Sequence, residues 1–265
     1  IYTPVQEDEI ELVIKRRLFQ EINESDAKRI VDEFVTYAER EGLLSGEDVI
    51  RYRERFIKSY PFQPEVIDVL YKRWGSFPTF QRTRGVLRLL SLLIYSMRDS
   101  QNPYIRLGDF DLKNDEIRTE LIKHIGMEYD SIIASDITSQ NAGARKVDME
   151  MGDAYRPYRL GTVTATTIFM LSFSGGPEKG GTIKEIKLSS THPDVPSSVI
   201  DSVLNKLKEK LFYLSDEGWF FTNQPNLNRI LVTKEEGISD PIVVEQEREL
   251  LKKFLSTGKP RFSTY

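Results

Sequence analysis

Ser59 to Arg98 reads SYPFQPEVIDVLYKRWGSFPTFQRTRGVLRLLSLLIYSMR, and its second half decides the fold class. Val86, Leu87, Leu89, Leu90, Leu93, Ile94 and Met97 recur with a helical period, which predicts a mostly buried helix from Thr83 to Arg98 with Thr83 as its N-cap. Arg82 and Arg84 then fall at its first turn. A helix N-terminus favours anions, so cations there oppose the dipole unless an external phosphate or carboxylate meets them. The alternative is a surface ion pair to Glu65 or Asp68 of the preceding helix, a class of contact that contributes little.

Toward the amino end the same period continues. Ile10, Val13, Ile14 and Leu18 stripe a helix within Glu7 to Glu21. Ser25 reads as the cap of a second helix striped by Ile30, Phe34, Tyr37 and Ala38 and ended by Gly42. Further helices fit Gly46 to Phe56 and Pro64 to Trp74, with proline at a first-turn position. Residues 1–101 are therefore expected to form an all-helical bundle.

Beyond it, 102–159 reads as a helical connector. Asn114 is placed to cap a helix from Asp115 to His124, and Asp109-Phe110-Asp111 is a D-x-D pair that suits capping or a turn better than a metal. Ser139 to Lys146, SQNAGARK, has the composition of a mobile loop. Asp148, Glu150 and Asp153 precede Tyr155-Arg156-Pro157-Tyr158-Arg159, where mutual ion pairing is expected.

Residues 160–235 suggest a winged helix, an α+β unit. An apolar helix from Thr162 to Phe173, a glycine turn, a short element from Thr182 to Leu188 and a helix from Pro196 to Lys210 are followed by Phe212-Tyr213-Leu214 and Trp219-Phe220-Phe221 around Ser215-Asp216-Glu217-Gly218. That turn predicts a β-hairpin wing. In a winged helix that reads duplex DNA, Ser197, Ser198, Asn205, Lys206 and Lys208 would face the duplex. The acidic wing tip suits phosphates poorly, so docking of a partner protein is the competing use. Asn223 to Arg229 is rich in side-chain amides, which bond either turn backbones or base edges. In 236–265 one helix is expected, from Val243 to Leu255. The expected fold is thus mainly α: a helical bundle, a helical connector and a winged helix with a β-hairpin wing.

Composition narrows the chemistry. The 265 residues contain no cysteine, which excludes disulfides, thiolate metal sites and a cysteine nucleophile. Only His124 and His192 remain for histidine chemistry. A net charge of -4 argues against a protein coated for nucleic acid, although local basic clusters persist. No apolar run is long enough to span a bilayer and no signal peptide is visible, so cytoplasmic residence and no membrane partner are expected. The phosphate-binding pattern G-x-x-x-x-G-K-[ST] is missing; Gly175-Gly176-Pro177-Glu178-Lys179-Gly180-Gly181-Thr182 has glycine where lysine is required and reads as a flexible turn.

Pro61 to Leu90, together with RLGDFDL (Arg106 to Leu112), YRLGTVTATTIFMLSFSG (Tyr158 to Gly175) and TNQPNLNRIL (Thr222 to Leu231), resembles a family of large prokaryotic AAA+ superfamily ATPases often encoded beside DNA methylases in anti-phage gene clusters. The resemblance implies an AAA+-type lid in which Arg84, with Arg82 as the fallback, is the sensor-2 arginine that contacts a nucleotide γ-phosphate. It also implies that ATP and Mg2+ are bound by an AAA+ core missing from this chain, that the fragment alone hydrolyses no ATP, and that the parent acts on DNA, with homo-oligomerisation open.

Overall fold

A computed structural model describes residues 10–236 and 240–256. The chain is mainly helical. Contacts divide it into a unit ending at Pro225 and a second unit beginning at Asn226. The boundaries expected after residues 101 and 159 both lie inside the first unit.

The first unit opens with α1 (Ile10–Leu18), α2 (Glu24–Arg40), α3 (Glu47–Ser59) and α4 (Pro64–Asp68). Asn23, not Ser25, caps α2: its side-chain oxygen accepts from the backbone of Ser25 at 3.1 Å and Asp26 at 3.3 Å. Asparagine serves this position as well as serine, and starting there places Glu24 and Asp26 against the positive end of the helix. Pro64 occupies the first turn of α4. The chain then passes without a break through a wider π turn, Val69–Arg73, and a tighter 3-10 turn, Trp74–Ser76. Next come α5 (Arg82–Ser96), α6 (Asp115–Ile125), α7 (Glu128–Ile133), α8 (Gly143–Glu150), α9 (Leu160–Leu171), α10 (Ile183–Ser190) and α11 (Ser197–Lys210). Asn114 caps α6, accepting from Glu116 at 3.0 Å and Ile117 at 3.2 Å. The second half of the expected mobile loop, from Gly143, belongs to α8, and Gly143 lies against the backbone of Lys210 with no room for a methyl group.

The centre of the unit is α9. Every residue of it except Thr162 is buried, so it shows no polar face. Its neighbours include α8, α10 and α11. Small residues allow the approach: a Cβ on Gly161 would stand 2.5 Å from the carbonyl of Ala144 on α8. One apolar cluster runs from Ile10 through Trp74, Leu89 and Ile168 to Phe221. A second joins Val31, Phe34 and Phe56 of α2 and α3 to Tyr104 and Leu188.

The wing is corrected. Among the described residues no strand forms, and the segments expected to pair share a single antiparallel bridge, Leu214 to Phe221. The donors a ladder would need are engaged by helical side chains. The buried Asp136 carboxylate accepts from the backbone of Phe212 at 3.2 Å and Tyr213 at 2.8 Å, and Ser172 Oγ accepts from Phe221 at 2.8 Å. What remains is a chain reversal with Ser215 N–H donating to Phe220 at 2.9 Å and Thr222 N–H to Tyr213 at 3.0 Å.

The second unit contains α12 (Leu227–Glu236) and α13 (Asp240–Ser256), the latter covering the helix expected near the carboxyl end. The Asn226 side chain accepts from the backbone of Arg229 at 3.2 Å, so this member of the amide-rich run caps the start of α12. No helix among the described residues is long and apolar enough to cross a membrane.

Candidate functional site

The segment before α5 is built to hold that helix still. Trp74 is fully buried and donates its indole N–H to the carbonyl of Met170 at 3.0 Å. Its ring meets Phe77, Phe80 and Phe173 at centroid distances of 6.0, 6.4 and 5.7 Å. Arg73 donates to the carbonyls of Leu171 at 2.8 Å and Gly180 at 2.5 Å. Ser76 Oγ accepts from Gly175 N–H at 2.8 Å, so the expected flexible glycine turn is tied to this segment at two places.

From this anchor the chain turns into α5 through two residues with positive φ, Gln81 at 56° and Arg82 at 34°. Both are strained for side chains with a Cβ. Thr83 is therefore not the cap, and the helix runs from Arg82 to Ser96 with Gln81 at the cap position and no side-chain cap bond. Phe80 sets this start by lying across the first turn: a Cβ on Gly85 would come within 2.1 Å of its carbonyl oxygen.

Arg82 and Arg84 emerge at this turn, both exposed. The Arg82 guanidinium lies 5.9 Å from the ring centre of Tyr71, a cation–π contact that orients it without neutralising it. Neither arginine forms an ion pair with any described residue. The acids of the preceding helix are engaged elsewhere: Asp68 with Arg55 at 2.8 Å and Lys72 at 3.0 Å, and Glu65 with the hydroxyl of Tyr52 at 2.8 Å. Burial raises the Glu65 carboxyl to about 7. One turn further on, Arg88 is paired with the buried Glu120 at 2.9 Å. Within α5, then, the two guanidinium groups without an ion pair sit in the first turn, the end where the dipole gives them no stabilisation.

The residues expected to meet DNA divide differently. Ser197 is buried, and its N–H donates to Glu41 at 2.8 Å. Ser198 and Asn205 are exposed. Lys206 pairs with Glu150 at 3.2 Å, as does Lys210 at 3.1 Å, and the Lys208 ammonium lies 4.6 Å from the ring centre of Trp219. The exposed side of α11 also carries Asp201 and Glu209.

The carboxylates near the connector are structural. Asp109 is paired with the buried Arg106 at 2.8 Å and accepts from its backbone, while Asp111 accepts from Lys113 N–H at 3.1 Å. Arg106 also donates to the carbonyl of Thr191 at 2.9 Å, fastening this turn to the end of α10. Asp153 pairs with Arg156 at 2.9 Å, whereas Asp148 accepts from the N–H of Thr162 at 3.0 Å at the start of α9. His124 bonds Thr79 at 2.7 Å, and burial lowers both His124 and His192. No group of three or more His, Asp or Glu side chains among the described residues could hold a metal ion. The Tyr71 contact and the Asp148 cap escape sequence inspection because both join residues on different elements; the acidic crowding around Asp148 was their only local signal.

The site and fold define a helical module that displays two unpaired arginines at a strained helix start. The chain belongs to the family described as DUF499 second domain, whose model matches residues 5–198 and so ends at the start of α11. No curated protein and no solved structure matches the chain.

Proposed function

We propose that this chain is the nucleotide-sensing, lid-like part of an AAA+ ATPase whose ATP and Mg2+ are held by a separate core. The observation that carries the proposal is the pair of exposed, ion-pair-free guanidinium groups of Arg82 and Arg84 at a helix start fixed by Trp74 and Phe80. Two such groups on a rigid support fit the charge that develops on a transferred phosphoryl group, where preorganised donors contribute most. The chain has no phosphate loop, so it would contribute Arg84 to a nucleotide and not bind the nucleotide by itself. The name of the matched family, a second domain, suits a module working beside another.

Action of the parent on duplex DNA belongs to the same proposal. In this chain α11 would offer DNA chiefly Ser198 and Asn205. The engagement of Lys206 by Glu150 and of Lys208 by Trp219 favours the second use of this region, docking of a partner protein.

The test is Arg84→Ala in the full-length ATPase. Hydrolysis is expected to fall by about tenfold or more with unchanged thermal unfolding, because one preorganised donor to the phosphoryl group is lost. Wild-type turnover in a folded Arg84→Ala protein would overturn the assignment.

A further inference from the structure

A cleft of about 250 Å³ opens beside the C-terminal end of α9, away from Arg82 and Arg84, neither of which lines it. Phe77, His124, Tyr129, Phe173, Phe220 and Phe221 form its aromatic lining. Tyr129 stands at 84° to Phe173 with their centroids 4.8 Å apart, so the two rings make a right-angled corner. Phe173 is itself braced by Trp74 at 5.7 Å and Phe169 at 4.9 Å, which fixes that corner in place. Phe173 is buried, so a flat ring entering the cleft would stack on or meet the edge of the half-buried Tyr129, the arrangements aromatic pairs prefer.

Lys179 and Asn223 are among the residues that line the cleft. Both are exposed. An amide presents a donor and an acceptor side by side, the complement of a nucleobase edge, and an ammonium beside it meets a phosphate. Purely apolar rings would leave both groups unused, and a sugar phosphate would leave the aromatic corner unused. We propose that the cleft binds a nucleobase carrying a phosphate, with the base in the aromatic corner, Asn223 on its edge and Lys179 on the phosphate. Free mononucleotides and the end of a single strand share this chemistry; stacking on aromatic side chains is the usual basis of such binding.

The test is calorimetric titration of the 265-residue chain with AMP, CMP, GMP, UMP, ribose 5-phosphate and 5′-phosphorylated dinucleotides. At least one mononucleotide is expected to bind roughly tenfold tighter than ribose 5-phosphate, the part of the affinity owed to stacking. Asn223→Ala and Lys179→Ala should each weaken it by about fivefold to tenfold, the equivalent of one hydrogen bond or charge-assisted contact. Neither side chain holds the fold together, so both variants should unfold at the wild-type temperature. A dinucleotide that binds more tightly than every mononucleotide identifies a strand end as the source, and equal or weaker binding identifies the free nucleotide. The proposal fails if ribose 5-phosphate binds as well as the mononucleotides, if no mononucleotide binds at millimolar concentration, or if both variants bind like wild type. Because no step reads ATP hydrolysis, failure here leaves the role of Arg84 untouched.

Discussion

Glu65→Gln isolates the energetic cost of keeping a carboxyl group between α3 and α4. Glu65 accepts a hydrogen bond from Tyr52 at 2.8 Å, with Asp68 raising its affinity for a proton and Arg55 lowering it. Burial dominates, and the group titrates at about 7 in the fold against an ordinary 4.5. At about 1.4 kcal/mol per unit, that difference corresponds to a loss of about 3 kcal/mol when the carboxyl is ionised in the fold. Partial exposure and relaxation of the neighbours reduce this, so roughly 1.5 to 3 kcal/mol is expected. The sign follows from proton counting. Between pH 4.5 and 7 the folded chain holds a proton that the unfolded chain has released, so stability falls as pH rises through this window and levels off above it. Glutamine keeps an acceptor for Tyr52 and cannot ionise. Urea denaturation of both proteins at closely spaced pH values between 4 and 8 should give curves that meet near the acid end and separate toward pH 8, with the variant more stable. Other buried carboxylates such as Glu11 and Asp148, also raised by burial, contribute equally to both proteins and cancel in the difference. Parallel curves would show that the Glu65 carboxyl is solvated and the assigned environment is wrong.

Gly85→Ala tests the start of α5. Helix propensity alone would make alanine more stable by about 1 kcal/mol, but the added Cβ would stand 2.1 Å from the carbonyl of Phe80, so a net loss of about 2 kcal/mol is expected. Thermal unfolding decides the sign, and a stabilised variant would refute the crossing of Phe80 over the first turn. Asp148→Ala removes the acceptor for the N–H of Thr162 and should cost about 2 kcal/mol in urea denaturation, while Asp148→Asn keeps one acceptor and should cost about half as much. An alanine variant as stable as wild type would show that water replaces the carboxylate at this position.

Local periodicity carried the helices well. Ile200, Val203, Leu204 and Leu207 announce α11 because one stripe faces one core, and the same holds for Val86, Leu89, Leu90 and Leu93 of α5. Asn114 could be read as a cap because capping involves neighbours only. The failures are long-range. The turn at Ser215 to Gly218 is a genuine reversal, yet no ladder grows from it because Asp136 and Ser172, 76 and 49 residues from Phe212 and Phe221, take the backbone donors. The position of Thr83 looked like a cap, but docking of Trp74 and Phe80 onto distant elements moved the helix start to Arg82. For the candidate site, the placement of Arg82 and Arg84 at the helix mouth was legible, whereas their lack of ion pairs was not. That property depends on Asp68 pairing with Arg55 and Lys72, and on Glu120 pairing with Arg88, choices made in three dimensions.

The orientation of the two arginines is therefore set less by α5 than by α9. Arg73 and Trp74 bond the carbonyls of Leu171 and Met170, which lie at the end of α9, and the chain from there to Arg82 is only a few residues long. Carbonyls in the last turn of a helix lack partners within it, so they are natural anchoring points for outside donors. Because α9 is buried on every side, a shift of this anchor would have to displace packed neighbours on α8, α10 and α11. A helix with no charged residue and no solvent face is thus the part of the structure that gives two solvent-exposed cations a fixed direction.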